Sequence, residues 1–176
     1  MSISNINDER NESYKQLGRF VVAFQHVESE LRFVTRLLLD GDRTARADII
    51  LSKIGFKDLV EATDVMFSRF VDERNIPDGA QRKSDFHQLC KQSLKLNIRR
   101  NTLIHSTYCH LLGDNGYKGL LRQKLRLRYG GSLGSRQEDE EEILTKEDFC
   151  ESISHCNAVA LKLDEFRLWL IDAIYE

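Results

Sequence analysis

Residues 81–108, QRKSDFHQLCKQSLKLNIRRNTLIHSTY, read as one long helix that ends in a cluster of polar side chains. Phe86, Leu89, Cys90, Leu94, Ile98 and Ile104 recur at helical steps and mark its apolar side. Ser84 followed by Asp85 suits a helix start. Near the other end, Arg99-Arg100-Asn101-Thr102-Leu103-Ile104-His105 brings a guanidinium, a carboxamide and an imidazole within about one and a half turns. At about 100° per residue, Asn101 and His105 lie one above the other, with Arg100 about 100° to one side. Asn97, Asn101, His105 and Tyr108 continue that polar column. Polar groups in such a column are explained by local satisfaction, or by a catalytic or dimer-facing strip.

Upstream, residues 11–40 carry Leu17, Phe20, Val21, Phe24, Val27, Leu31, Val34 and Leu38, an apolar stripe along a second long helix that stops at Gly41. Glu28 lies beside the stripe. Surface exposure is its expected state, with pairing to Arg100 as the alternative. Residues 43–72 divide at Gly55 into two shorter helices, one around Ile49, Ile50 and Ile54, the other around Leu59, Val60, Val65, Phe67 and Phe70. Asn75-Ile76-Pro77-Asp78-Gly79 is a loop, and its proline is the single one in the chain.

Downstream, the pattern changes period. Residues 108–112 are short and apolar, Asp114-Asn115-Gly116 is a hairpin turn, and residues 121–129 alternate. Leu121, Leu125, Leu127 and Tyr129 take one face; Arg122, Lys124, Arg126 and Arg128 take the other. The basic face reads either as a charged guard on an edge strand or as a surface for a phosphate backbone. Gly130 to Ser135 and the acidic run Glu138 to Glu142 read as a flexible, solvated loop spanning 131–144. The last helix starts at Thr145, a good cap, and buries Phe149, Ile153, Cys156, Val159, Leu163, Phe166, Leu170 and Ile174.

The expected architecture is therefore all-α: an antiparallel bundle of four or five helices, one domain over 1–176, with a β-hairpin insertion at 107–130 before the last helix. With 26 basic and 28 acidic residues, bulk charge selects no partner, and a nucleic-acid surface has to be a local patch. Four cysteines without a leader sequence point to free thiols in the cytoplasm. No apolar run reaches the roughly 20 residues of a membrane span. Cys109-His110 and His155-Cys156 lack the spacing of a zinc site, so no metal and no cofactor are expected.

Arg100-Asn101-x-x-x-His105, late in a long helix after two earlier helical segments, resembles the signature of the HEPN superfamily, a helical-bundle group that includes many metal-independent ribonucleases. The resemblance implies an endoribonuclease that uses the RNA 2′-hydroxyl as nucleophile and leaves a 2′,3′-cyclic phosphate. In that chemistry His105 moves the proton, Arg100 stabilises charge on the phosphate, and Asn101 orients His105 or the phosphate. Arg99, Tyr108, Arg122, Lys124, Arg126 and Arg128 are the expected RNA contacts. The resemblance further implies a homodimer with a composite site and a role as toxin or antiviral effector, in some cases with a cognate antitoxin or regulatory protein. Certain antitoxins of that kind modify a Tyr two residues after the His; here Tyr108 stands three after. The alternatives are a non-catalytic dimerisation or nucleotide- or RNA-binding module, and a structural bundle whose basic strand binds nucleic acid passively.

Overall fold

The computed structural model describes residues 3–40, 45–114, 116–128 and 136–175. In chain order these form α1 (Ile3–Asp40), α2 (Ala45–Leu51), α3 (Phe56–Glu73), α4 (Gly79–Ile104), β1 (Thr107–Gly113), β2 (Gly116–Arg128), β3 (Arg136–Leu144) and α5 (Lys146–Tyr175). The protein is mainly helical with a small antiparallel sheet in the order β1-β2-β3. No described helix is long and apolar enough to cross a membrane. The expected helix stop at Gly41, Asn115 of the turn, Tyr129 and the Gly130 to Ser135 loop lie outside the described residues.

The chain divides into two compact units, one of Met1–Val21 with Arg99–Ile153, the other of Val22–Ile98 with Ser154–Glu176. The second unit is all helix. Phe67 of α3 stacks on Phe86 of α4 with ring centroids 4.2 Å apart, and Phe166 of α5 meets both rings edge-on. Burying rings of this size is the main gain from closing the unit. Thr35 and Thr63 are buried with their hydroxyl oxygens 2.6 Å apart and each near the carbonyl one turn back, so one hydroxyl donates to the other, which donates to its own carbonyl. Small, satisfied polar groups thus let α1 and α3 approach without an orphaned donor.

Helix directions depart from the expected antiparallel bundle. α3 and α4 are antiparallel: Lys83 meets Asp72 and His87 meets Asp64. α1 and α3 instead run the same way, since Phe24 meets Phe56 and Thr35 meets Thr63. The return is made by short α2, where Arg36 and Arg32 of α1 contact Asp48 and the Leu51 carbonyl. The short helix expected before Gly55 is present, and at seven residues it connects α1 to α3 and is too short to span the bundle. Its Ile49 and Ile50, expected in the core, are exposed, and Ala47 and Leu51 are buried in their place. Ile98, placed on the apolar rhythm of α4, is 67% exposed; the buried line runs instead through Phe86, Leu89, Ser93 and Leu96.

In the first unit the expected hairpin is present, and it is extended by a third strand. The acidic run expected as part of a solvated loop at 131–144 forms β3 over Arg136–Leu144, paired antiparallel to β2. The register sets Arg122 opposite Glu142, Lys124 opposite Glu140 and Arg126 opposite Glu138. Facing opposite charges favour the pairing, and a run of like charges on its own gives no hint of a strand. Leu103, Leu120, Leu144, Phe149 and Phe20 form this unit's core at 0–1% exposure. Thr145 caps α5: its hydroxyl and amide both donate to Asp148 Oδ2, at 2.7 and 2.8 Å.

Candidate active site at the end of the fourth helix

The last turn of α4 and the sheet that follows it belong to the same unit. Arg100 Nη1 donates to Asn101 Oδ1 at 2.9 Å, so the carboxamide holds the neighbouring guanidinium. The His105 amide donates to the Asn101 carbonyl at 3.1 Å, which carries the helical turn one residue past Ile104. Arg100 and Asn101 are half-buried and His105 is exposed. An anchored guanidinium beside an accessible imidazole is a set that can bind a phosphodiester and move a proton.

Below this turn lies a second polar network. The Glu142 carboxylate receives two bonds from Arg99 Nη1, at 2.8 and 2.9 Å, and one from Arg122 Nε at 2.9 Å. Arg122 Nη1 also donates to Ser106 Oγ at 3.3 Å, and Ser106 Oγ donates to the Thr102 carbonyl at 2.5 Å. Tyr108 OH donates to the Leu103 carbonyl at 2.6 Å. Two of the carbonyls that α4 leaves open at its end are thereby satisfied by residues of the chain just beyond it. Burial pushes the Tyr108 phenol up to about 12, against the pull of Arg122 and Arg99.

The expected basic surface is corrected in part by this network. Arg122, expected on a solvent-facing strand side, is 5% exposed and held by Glu142. A buried, paired guanidinium braces the sheet and is not a surface contact for RNA. Arg99 is half-buried on the same carboxylate, and the Tyr108 hydroxyl is committed to the helix end. The backbone sets Lys124, Arg126 and Arg128 on β2, and their side chains lie outside the described residues. Glu28, the alternative partner for Arg100, is bound at 2.7 Å by Arg32, one turn along α1.

Glu142 escapes a reading of the sequence because its partners lie 20 and 43 residues away. The signal that could have found it is the pairing of a basic strand with an acidic run of similar length. An aromatic clasp escapes it too: Tyr14 OH and His110 Nε2 lie 2.6 Å apart, and Tyr117 OH donates to Ser13 Oγ at 2.8 Å. Burial and the nearby Arg10 hold the His110 imidazole below its ordinary value. Among the described residues no group of three or more His, Cys, Asp or Glu is placed to hold a metal ion.

Comparison of the chain with family models, with curated proteins and with solved structures finds no match.

Proposed function

We propose that the protein is a metal-independent endoribonuclease of HEPN-like type, with Arg100, Asn101 and His105 at its centre. The observation that carries the reading is the Arg100–Asn101 bond at the end of α4, with exposed His105 one turn on. RNA brings its own nucleophile, so the protein need only orient the phosphate, neutralise charge and transfer protons. His105 takes the proton from the 2′-hydroxyl or delivers one to the leaving 5′-oxygen. Arg100 stabilises the equatorial oxygens of the phosphorane-like transition state. Asn101 orients Arg100 through its carboxamide oxygen. One imidazole cannot attend both the attacking and the leaving oxygen, which favours a homodimer in which two such turns share one phosphate. Arg99 contributes positive potential, and Arg126 and Arg128 of β2 hold the strand on either side of the scissile bond.

The test is incubation of the pure protein with labelled single-stranded RNA in chelator, followed by end-group analysis for 2′,3′-cyclic phosphate. His105→Ala and Arg100→Ala should each slow cleavage by roughly 100- to 10,000-fold, the usual worth of a positioned acid–base or charge-stabilising group. Cleavage at the native rate in both variants, or none by the native protein, ends the reading in favour of a binding module without turnover.

A further inference from the structure

The loop between α3 and α4 and the last turns of α5 border an open, solvent-facing cavity of about 510 Å3, lined by Arg74, Ile76, Pro77, Arg82, Trp169 and Asp172 among others. Two guanidinium groups border it, and both rest on aromatic faces. That of Arg82 lies 4.4 Å from the centroid of the Trp169 ring, and that of Arg74 lies 5.6 Å from the centroid of Phe70. Stacking fixes the plane of a guanidinium while leaving its N–H edge for an acceptor.

Among the described residues neither cation has a carboxylate partner. The acids beside them on α3 are engaged elsewhere, Asp72 by Lys83 at 2.6 Å and Glu73 by Arg69 at 3.2 Å. Arg74 makes one long bond, 3.5 Å, from Nη1 to the Ala173 carbonyl. The Nε of Arg82 is buried and has no hydrogen-bond partner among the described residues.

We propose that this cavity binds the phosphate monoester of a nucleotide, with the phosphate between Arg74 and Arg82. The volume exceeds that of a bare oxyanion and falls within the range of about 300–1,000 Å3 that small-ligand sites occupy. Ile76 and Pro77 offer an apolar wall to a ring, and Asp78 and Asp172 offer acceptors to its amino groups. The same chemistry is presented by a free mononucleotide and by the phosphorylated 5′ end of a nucleic-acid strand. The site stands apart from the ribonuclease reading and does not depend on it.

Trp169 is the only tryptophan in the chain, so intrinsic fluorescence reports on the cavity directly. The full-length protein is titrated with adenosine 5′-monophosphate, with adenosine, and with a short oligodeoxyribonucleotide bearing a 5′-phosphate or a 5′-hydroxyl. The DNA strand lacks the 2′-hydroxyl and so cannot be cleaved by the proposed mechanism. A saturable change is expected with a phosphorylated probe and not with its unphosphorylated counterpart. A response to the monophosphate identifies a free nucleotide as ligand; a response confined to the 5′-phosphorylated strand identifies a strand end. Arg82→Gln and Arg74→Gln should each weaken binding about tenfold or more, equivalent to about 1.4 kcal/mol. Arg74 is exposed, so its variant remains informative if the loss of the Trp169 stack impairs folding. Absence of a saturable response to either phosphorylated probe, equal responses to phosphorylated and unphosphorylated probes, or native affinity in the variants overturns the proposal.

Discussion

Glu142 ties the end of α4 to the sheet through two cations at once. Its replacement by Gln removes the carboxylate charge bonded to Arg122, whose side chain is 6% exposed. Breaking a fully buried pair costs about 3–5 kcal/mol, and the one-third exposure of Glu142 reduces that. Glu142→Gln should therefore destabilise the protein by about 2 kcal/mol in urea unfolding. It should also lower any activity at Arg100 through the loosened helix end. A midpoint equal to native would show that the pair contributes no net stability. His110 gives a pH dependence of definite sign. Its folded-state value is depressed below 6.5 by burial first and Arg10 second, so the unfolded chain binds the proton more readily. The stability it contributes is complete above about pH 6.5 and is lost as pH falls through the depressed value. Chemical unfolding at pH 8 and pH 5 should show a smaller loss on acidification for His110→Gln than for the native chain. An equal loss in both would dissociate the imidazole from the acid sensitivity.

At the scale of elements, β2 decides how the sheet is built and what its basic residues can do. Gly119 sits on β2 with φ +147°, and a Cβ there would stand 2.6 Å from the Leu144 carbonyl oxygen. Backbone in that region suits glycine alone, and the neighbour is main chain that cannot swing aside. Gly119→Ala should cost about 2–3 kcal/mol, read as a lower unfolding midpoint, with β3 the first element to lose amide-exchange protection. β3 also changes what is expected of the basic strand. Each cation that the register sets opposite an acid has less net attraction for a phosphate chain, and the register sets Arg128 opposite Arg136 instead of an acid. Under the ribonuclease reading, Arg126→Gln with Arg128→Gln should raise the half-saturating RNA concentration and leave the bound-state cleavage rate nearly intact. The salt slope for a single strand should fall by up to about 0.7 for each phosphate that the variant no longer neutralises. An unchanged affinity at low salt would reduce β2 to a charged edge matched to its neighbour.

At the scale of the whole molecule, thiol accessibility provides a check on both compact units. Cys90 and Cys156 are buried in the helical unit at 3% and 0% exposure, and Cys109 and Cys150 are exposed in the unit that carries the sheet. Burial raises the Cys156 thiol to about 11 and pushes the Cys90 thiol higher still, with Asp64 adding to it. Thiolate is the reactive form, so two cysteines are shielded both sterically and electrostatically. An aromatic disulfide reagent at pH 8 should label two thiols quickly and two only on the time scale of unfolding. Four fast thiols would mean that the helical core opens freely.

The long helices, the break at Gly55, the hairpin and the cap at Thr145 are all legible in the chain before it folds. Each is written in short-range terms: apolar periodicity, a glycine, an Asp-Asn-Gly turn, a Thr three residues ahead of an Asp. Arg100, Asn101 and His105 fall on one helix end for the same kind of reason, because spacing along a helix fixes angle. Folding adds what local pattern does not contain: the acidic run becomes a strand, Arg122 is buried on Glu142, and α1 and α3 run the same way. Those outcomes depend on partners 20 to 43 residues distant, whose mutual attraction acts only once the chain has folded. The same holds for the cavity between Arg74 and Trp169, whose lining comes from two stretches far apart in the helical unit's sequence. Local pattern selects the element, and long-range complementarity of charge and shape selects which faces of those elements meet.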